Sequence, residues 1–380
     1  MHFETRAIRV GQEPDEATGA TIVPIYQTST FTQEEIGRNK GFEYTRSGNP
    51  TRAALEECLA SLEEGKYGLS FASGLAAEHA VLSILRPGDH VIAPFDLYGG
   101  TYRLFTQVLE PMNIRFTFLD FTDPVKLASA FLPETRMAWI ETPTNPTLKI
   151  FDIAAIVNEC HRHNVLSVVD NTFATPYFQK PLSLEADIVV HSTTKYINGH
   201  SDVVGGAVVV NDKVIWNKVR FYQNSIGGVS SPFDAWLTLR GLKTLAVRMQ
   251  QHERNAFAVA RFLQKHPKIE GVLYPGLEGH PGYSTAKKQM TGFGGLVSVY
   301  LKGGFSEVNL FLKNLKVFSL AESLGGVESL ANYSTRMTHA SYPEKLKNQI
   351  GITDNLVRLS VGLEHADDLT DDLKQALAKF

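Results

Sequence analysis

Cysteine is nearly missing from this chain. Its two cysteines in 380 residues, Cys58 and Cys160, cannot build a disulfide framework, and their helical surroundings read as core in a reducing compartment. An excess of either charge is missing too. A formal net charge of −3 gives no reason for a nucleic-acid or membrane partner. No apolar run is long enough to cross a bilayer, and the start Met1-His2-Phe3-Glu4-Thr5-Arg6 lacks the apolar stretch of a secretory signal. A cytoplasmic location is the expectation. Metal-ligand spacing is also lacking: Cys160, His161 and His163 sit too close on one helix to converge on an ion, so no metal is expected. Gly292-Phe293-Gly294-Gly295 leads into a strand, which is no dinucleotide fingerprint, and there is no Walker lysine motif. Neither internal repeats nor low-complexity segments occur. Lys287-Lys288 reads as a solvated face.

What is present is an alternation. Apolar runs at Tyr67–Phe71, His90–Ala93, Arg115–Leu119, Met137–Glu141, Val165–Val169, Ile188–Val190 and Ala207–Val210 read as strands. Between several of them lie helical patterns, among them Ser73–Leu85, Thr101–Leu109, Val125–Phe131 and Ile153–His163. Strand–helix alternation predicts an α/β fold with a mostly parallel sheet. A helical tract from Pro232 to about Lys265, with a break at Gly241, changes the texture. Strands at Leu296–Leu301, Val317–Leu320 and Leu356–Ser360 and a last helix over Ala366–Lys379 then read as a smaller α/β domain. The expected division is an arm over 1–48, a large domain over 49–240 and a small one over 241–380. The arm has turn formers but few periodic elements, so it must pack on something, a neighbouring subunit being one choice.

Two strand ends carry chemistry. Val165-Leu166-Ser167-Val168-Val169 stops at Asp170, and Ile188-Val189-Val190 leads to His191-Ser192-Thr193-Thr194-Lys195. Open α/β sheets place their ligands at such carboxyl ends. A shielded lysine amine can form a Schiff base with an aldehyde, and a carboxylate can hold the protonated nitrogen of a pyridine ring. Taken singly, Lys195 also reads as a strand-end lysine reaching solvent, and Asp170 as a turn or capping residue. Ser73-Gly74-Leu75 joins a strand to a helix and offers an anion site. Ser192 and Thr194, two apart on an extended segment, can aim both hydroxyls one way. Each feature alone is commonplace.

Together with further motifs they carry a resemblance. Tyr44-x-Arg46-x-Gly48-Asn49-Pro50-Thr51, Ala72-Ser73-Gly74-Leu75, Tyr98-Gly99-Gly100-Thr101 and Glu141-Thr142-Pro143-Thr144-Asn145-Pro146 are four of them. Asp170-Asn171-Thr172-Phe173, Ser192-x-Thr194-Lys195-Tyr196, Gly199-His200-Ser201-Asp202-Val203, Glu322-Ser323-Leu324-Gly325-Gly326 and Arg358-Leu359-Ser360-Val361-Gly362 follow. Over nearly its whole length the chain resembles the Cys/Met-metabolism family of enzymes dependent on pyridoxal 5'-phosphate (PLP). The resemblance implies a fold-type-I PLP enzyme, usually a homotetramer of tight dimers, acting on a small amino-acid substrate in trans-sulfuration. It implies Lys195 as Schiff-base lysine and proton shuttle, Asp170 on the ring nitrogen and Tyr98 stacked on the ring. Ser73, Gly74, Leu75, Thr172, Ser192 and Thr194 complete the implied cofactor site, joined by Tyr44 and Arg46 from a neighbouring subunit. Arg358 would bind the substrate carboxylate with Asn145 and Ser323, and Arg103 would reach its distal end.

Within that family, Glu43 and Glu322 put carboxylates where a distal amino group would sit. That suits γ-type cystathionine chemistry: γ-elimination first, and γ-replacement on an acylated homoserine as the alternative. The β-lyases of the family resemble one another in carrying aromatic residues there, and methionine γ-lyases carry cysteine where this chain has Gly100. A PLP-binding homologue without catalysis would have no need of Lys195, Asp170, Tyr98 and Arg358 together. One departure is Asn332-Tyr333-Ser334-Thr335-Arg336-Met337, where relatives commonly have a proline before Met-Thr-His. That segment is expected to border the substrate, with Arg336 at the surface.

Overall fold

The computed structural model describes residues 1–380 and contains two β-sheets. The larger comprises β1 (Tyr67–Phe71), β2 (His90–Pro94), β3 (Arg115–Leu119), β4 (Thr135–Glu141), β5 (Leu166–Asp170), β6 (Ile188–His191) and β7 (Gly206–Val210). Their order is β1-β7-β6-β5-β4-β2-β3. Strands β6, β5, β4, β2 and β3 run parallel, whereas β7 is antiparallel to both β6 and β1. The alternation pattern missed this reversal. Residues 192–205 form a loop with no crossover helix, so the chain returns antiparallel.

The second sheet comprises β8 (Ile269–Leu273), β9 (Leu296–Leu301), β10 (Ser319–Leu320), β11 (Leu330–Asn332) and β12 (Leu356–Ser360), in the order β10-β11-β12-β9-β8. Strands β9 and β12 fall on the predicted residues. The strand predicted over 317–320 loses its first half because the backbone N–H groups of Val317 and Phe318 donate to the Asp372 carboxylate instead. Strands β8 and β11 were not anticipated; β8 carries a glycine and β11 is three residues long.

Helices α1 (Phe3–Arg9), α2 (Pro50–Leu62), α3 (Gly74–Leu82), α4 (Gly99–Arg103) and α5 (Pro124–Ser129) belong to the first half. So do α6 (Ile153–Arg162), α7 (Thr175–Phe178) and α8 (Lys213–Ile226). The tract over 232–265 is two helices, α9 (Pro232–Leu242) and α10 (Leu245–Gln264), parted just beyond Gly241. Helices α11 (Tyr283–Gln289), α12 (Phe305–Asn314), α13 (Glu344–Ile350) and α14 (Ala366–Leu377) accompany the second sheet. None is long and apolar enough to cross a membrane.

The central strands are buried on both faces, which explains their unbroken apolar runs. Val168, Val169, Ile188 and Val189 are fully buried, each contributing about 1.5–3 kcal/mol. Helices α2, α9 and α10 cover one face and α3 and α8 the other. The second sheet shares a separate core with α10, α12 and α14. Helix α2 starts where the sequence signals it: Asn49 accepts from the N–H groups of Thr51 and Arg52, with Pro50 in the first turn. The first 48 residues are not uniform. Helix α1 packs on α2 with Ala7 and Gln12 buried, whereas none of residues 13–48 is buried.

Candidate active site

The parallel strands β2, β4, β5 and β6 end side by side, and a cleft of about 380 Å³ lies over their carboxyl ends. Glu141 and Asp170 are register partners at the ends of β4 and β5, and both line the cleft. Asp170 Oδ1 accepts from the Thr172 N–H at 2.9 Å, so the turn role read from the sequence is real and coexists with a place in the cleft. Thr172 Oγ1 in turn accepts from the Ser192 N–H at 2.8 Å, stitching the two strand ends together. Burial pushes the Asp170 carboxyl up, partly offset by Thr172 and by His191.

Lys195 enters the same cleft, and its Nζ donates to Ser323 Oγ at 2.6 Å. Burial, then the charge of Arg358, lowers its amine to about 8, against a smaller opposing pull from Glu322. A lysine so placed becomes free base above about pH 8, well before an ordinary lysine does. The segment leading to it is not extended. After His191 the chain turns over residues 193–198, held by Asn198 N–H to the Thr193 carbonyl and Gly199 N–H to the Lys195 carbonyl. Ser192 and Thr194 therefore reach the cleft by way of a turn, and the Thr194 hydroxyl donates to the Gly205 carbonyl at 3.2 Å.

The other end of the cleft is an anion cradle. Ser73 caps α3, accepting from the Ala76 N–H at 3.0 Å. A side chain on Gly74 would put Cβ 2.9 Å from Ser192 Cβ, so only glycine leaves the helix N-terminus open beside Ser192. Tyr98 begins α4, and its N–H donates to Glu141 Oε2 at 2.8 Å. Burial and then Glu78 push its phenol up. Gly100 leaves room for that ring: a Cβ there would lie 2.4 Å from Tyr98 Cε1.

Arg358, in the middle of β12, is 1% exposed. It donates from Nη1 to Asn145 Oδ1 at 2.8 Å and from Nη2 to the Ser323 carbonyl at 2.7 Å, and Nε has no partner. Ser323 sits at φ +81°, a left-handed conformation costly for a side-chain-bearing residue and held by these contacts. Glu322 stands exposed on the rim of the cleft.

Four residues singled out in the sequence do not line it. Glu43, Tyr44 and Arg46 lie on the exposed 13–48 stretch, with the Arg46 guanidinium 5.5 Å from the Tyr44 ring centre, and Arg103 is exposed on α4. The 332–336 segment does not border the cleft either. Asn332, Tyr333, Ser334 and Thr335 are buried, with Ser334 Oγ donating to Asn332 Oδ1 and Tyr333 to Asp354. Arg336 lies outside as expected, over the Phe305 ring at 3.9 Å. Only Thr338, further on, reaches the cleft wall. Sequence reasoning overlooked Glu78 and, as a site residue, Glu141. The signal for Glu78 was a lone acid in the apolar helix Leu75-Ala76-Ala77-Glu78-His79-Ala80-Val81-Leu82.

The donor set fits PLP at three points. A helix N-terminus opens beside Ser192, a deprotonatable amine lies within reach, and the buried acids Glu78, Glu141 and Asp170 face one another. Known proteins agree. The family model for Cys/Met metabolism PLP-dependent enzymes matches residues 4–378. Cystathionine γ-lyase of Dictyostelium discoideum is 52% identical over 99% of this chain and 97% of its own. A cystathionine β-lyase of Coxiella burnetii is 51% identical over 99% and 98%. Among solved structures, cystathionine γ-synthase of Xanthomonas oryzae pv. oryzae in complex with cystathionine superposes with a TM-score of 0.98, at 45% identity over 100% and 98%. By motif, cleft and full-length likeness alike, the chain belongs to the Cys/Met metabolism family of PLP-dependent enzymes.

Proposed function

We propose that this protein is a cystathionine γ-lyase, converting L-cystathionine and water to L-cysteine, 2-oxobutanoate and ammonia. The carrying observation is that one cleft holds the Arg358–Asn145 clamp, the Lys195 amine and the exposed Glu322 carboxylate. An amino acid with a second amino group at its far end can meet all three. Relatives named cystathionine γ-lyase reach 52% identity, against 45% for the γ-synthase, and so support the lyase reading.

PLP supplies an electron sink for charge that develops at the substrate Cα and Cβ. In our reading Asp170 would hold its ring nitrogen and Tyr98 would stack on the ring, while Gly74, Leu75, Ser192 and Thr194 would hold its phosphate, with Ser73 and Thr172 also lining the cofactor site. Arg358 receives the substrate α-carboxylate on Nε and Nη, where one donor is still unpaired. Lys195 Nζ, held by Ser323, takes the Cα proton as general base. The same amine, with the Tyr98 hydroxyl, moves the protons that follow as cysteine leaves Cγ. Glu322 orients the distal amino group.

Glu43, Tyr44, Arg46 and Arg103 we assign to a cleft completed by two subunits. The uncovered 13–48 stretch supports this, as do the exposed apolar residues Ile36, Phe221, Ile226 and Phe233. A homotetramer of tight dimers in the cytoplasm is the assembly we infer; the buried free thiols Cys58 and Cys160 fit that compartment.

The alternative is cystathionine γ-synthase, in which an acylated homoserine loses its ester and cysteine adds at Cγ. Product analysis separates them. 2-Oxobutanoate from cystathionine alone is the expected result. Net cystathionine formation from an acylated homoserine and cysteine, with no 2-oxobutanoate from cystathionine, overturns the lyase reading.

A further inference from the structure

Glu78 is a buried acid of the cleft that neither holds the substrate nor moves its protons. It lies one helical turn beyond Gly74 on α3 and is 4% exposed. The side chain lines the cleft, and Oε2 has no hydrogen-bond partner. The Thr101 hydroxyl on α4, buried as well, lies beside it and opposes the rise of its carboxyl. The titratable groups that face Glu78 are all acids: Asp170 from β5, Glu141 from β4 and the Tyr98 phenol ahead of α4. The cations of the cleft, Lys195 and Arg358, act on Glu322, Tyr98, Tyr196 and one another. His191, beside Asp170, is paired with Glu63. A carboxyl buried against another carboxylate, with no cation facing it, keeps its proton. Burial first, then the Asp170 charge, pushes Glu78 well above the usual carboxylate range.

We propose that Glu78 is a second anchor for the nitrogen edge of the cofactor ring. It is neutral while the ring is absent, and it gives its proton to solvent when the cationic ring edge is seated beside Asp170. The two carboxylates, Asp170 and Glu78, then share that positive charge. The inference rests on the placement of the ring nitrogen at Asp170 made above. It goes beyond that placement because it ties cofactor affinity to pH through one named acid. A proton released on binding makes affinity rise with pH. Lys195 contributes its own pH dependence, which a change at Glu78 leaves in place.

The test is PLP binding to apoenzyme, read by equilibrium dialysis between about pH 6 and pH 8, for wild type, Glu78→Gln and Asp170→Asn. The wild-type advantage over Glu78→Gln is expected to widen with pH, toward about tenfold per unit. A ratio that stays constant across the range overturns the role of Glu78, whatever turnover does. Wild-type-like binding by Asp170→Asn would instead remove the ring-nitrogen placement, and the inference with it. Should Glu78→Gln fail to fold, calorimetry of PLP binding to a Lys195→Met chain in two buffers of different ionisation enthalpy decides. Release of about one proton is expected; release of none overturns the proposal.

Discussion

Lys195 illustrates how much one side chain owes to its surroundings. An ordinary lysine holds its proton to pH 10.5, and this one only to about 8. Labelling of the apoenzyme amine with a small acylating reagent should therefore rise with a midpoint near pH 8, quantified by peptide mass spectrometry. A midpoint in the ordinary lysine range would show that the cleft is wetter than its lining implies. The same shift has a stability consequence. Between about 8 and 10.5 the unfolded chain keeps a proton that the folded chain has released, so the apoprotein gains stability as pH rises through that window. Lys195→Met should keep its fold, lose turnover and lose this gain; melts of both proteins across the window compare them.

At the scale of elements, α9 and α10 hold the catalytic turn. Arg248 on α10 is buried and donates to the carbonyls of Tyr196 at 2.7 Å, Ile197 at 3.3 Å and Gly241 at 2.9 Å. Its Nη1 would lie 2.0 Å from a Cβ on Gly199, whose φ is +73°, so glycine is required there twice over. Arg248→Met is expected to cost about 3 kcal/mol or more, since each such charged hydrogen bond is worth about 1.5–3 kcal/mol. Because Tyr196 follows Lys195, the variant should also retain PLP less well. Denaturant unfolding of the apoprotein and dialysis of the holoenzyme measure the two effects. A variant as stable as wild type would mean that water replaces all three bonds. Across the mouth of the cleft, α4 meets the second half of the chain closely: a Cβ on Gly99 would lie 2.0 Å from the Thr338 carbonyl oxygen.

For the whole molecule, two consequences follow. His252 on α10 joins the halves, hydrogen-bonding the Val361 carbonyl at 2.7 Å and meeting the Tyr196 ring edge-on. Burial lowers its imidazole from 6.5 to about 4. Within that interval the unfolded chain binds a proton that the folded chain refuses, so this histidine removes stability as pH falls. The cost is about 1.4 kcal/mol per pH unit. Buried carboxylates act in the opposite sense, so the comparison is with His252→Asn, which should lose one proton's worth of that slope in chemical denaturation. Equal slopes would mean that His252 is charged in the native state. The second consequence concerns assembly. Arg46 lies outside its own chain's cleft, so Arg46→Ala should leave the fold unchanged and weaken PLP retention in the assembled protein several-fold. A monomeric form that binds PLP as tightly as the assembly rules out the cross-subunit role.

Much of this was legible in the residues themselves. Strand runs such as Ile188–Val190 and Ala207–Val210 were readable because burial on both faces demands uninterrupted apolar residues. Asn49-Pro50 announced α2 through a local capping bond, and the Asp170 and Lys195 motifs carried the family resemblance. Other features depend on partners distant in the chain. The strand at Val317–Phe318 is cut short by Asp372, and the turn after Ser192 is gripped by Arg248. Glu78 looks like a misplaced helix charge until the fold sets it against Asp170 and Glu141. By itself the sequence determined the strands of the larger sheet, the family and the strand ends on which chemistry sits, since these follow from local pattern and motif. Only the tertiary structure decided which acids share one cleft, how far the Lys195 amine is lowered and that residues 332–335 are interior, because electrostatics and burial depend on neighbours that chain order does not specify.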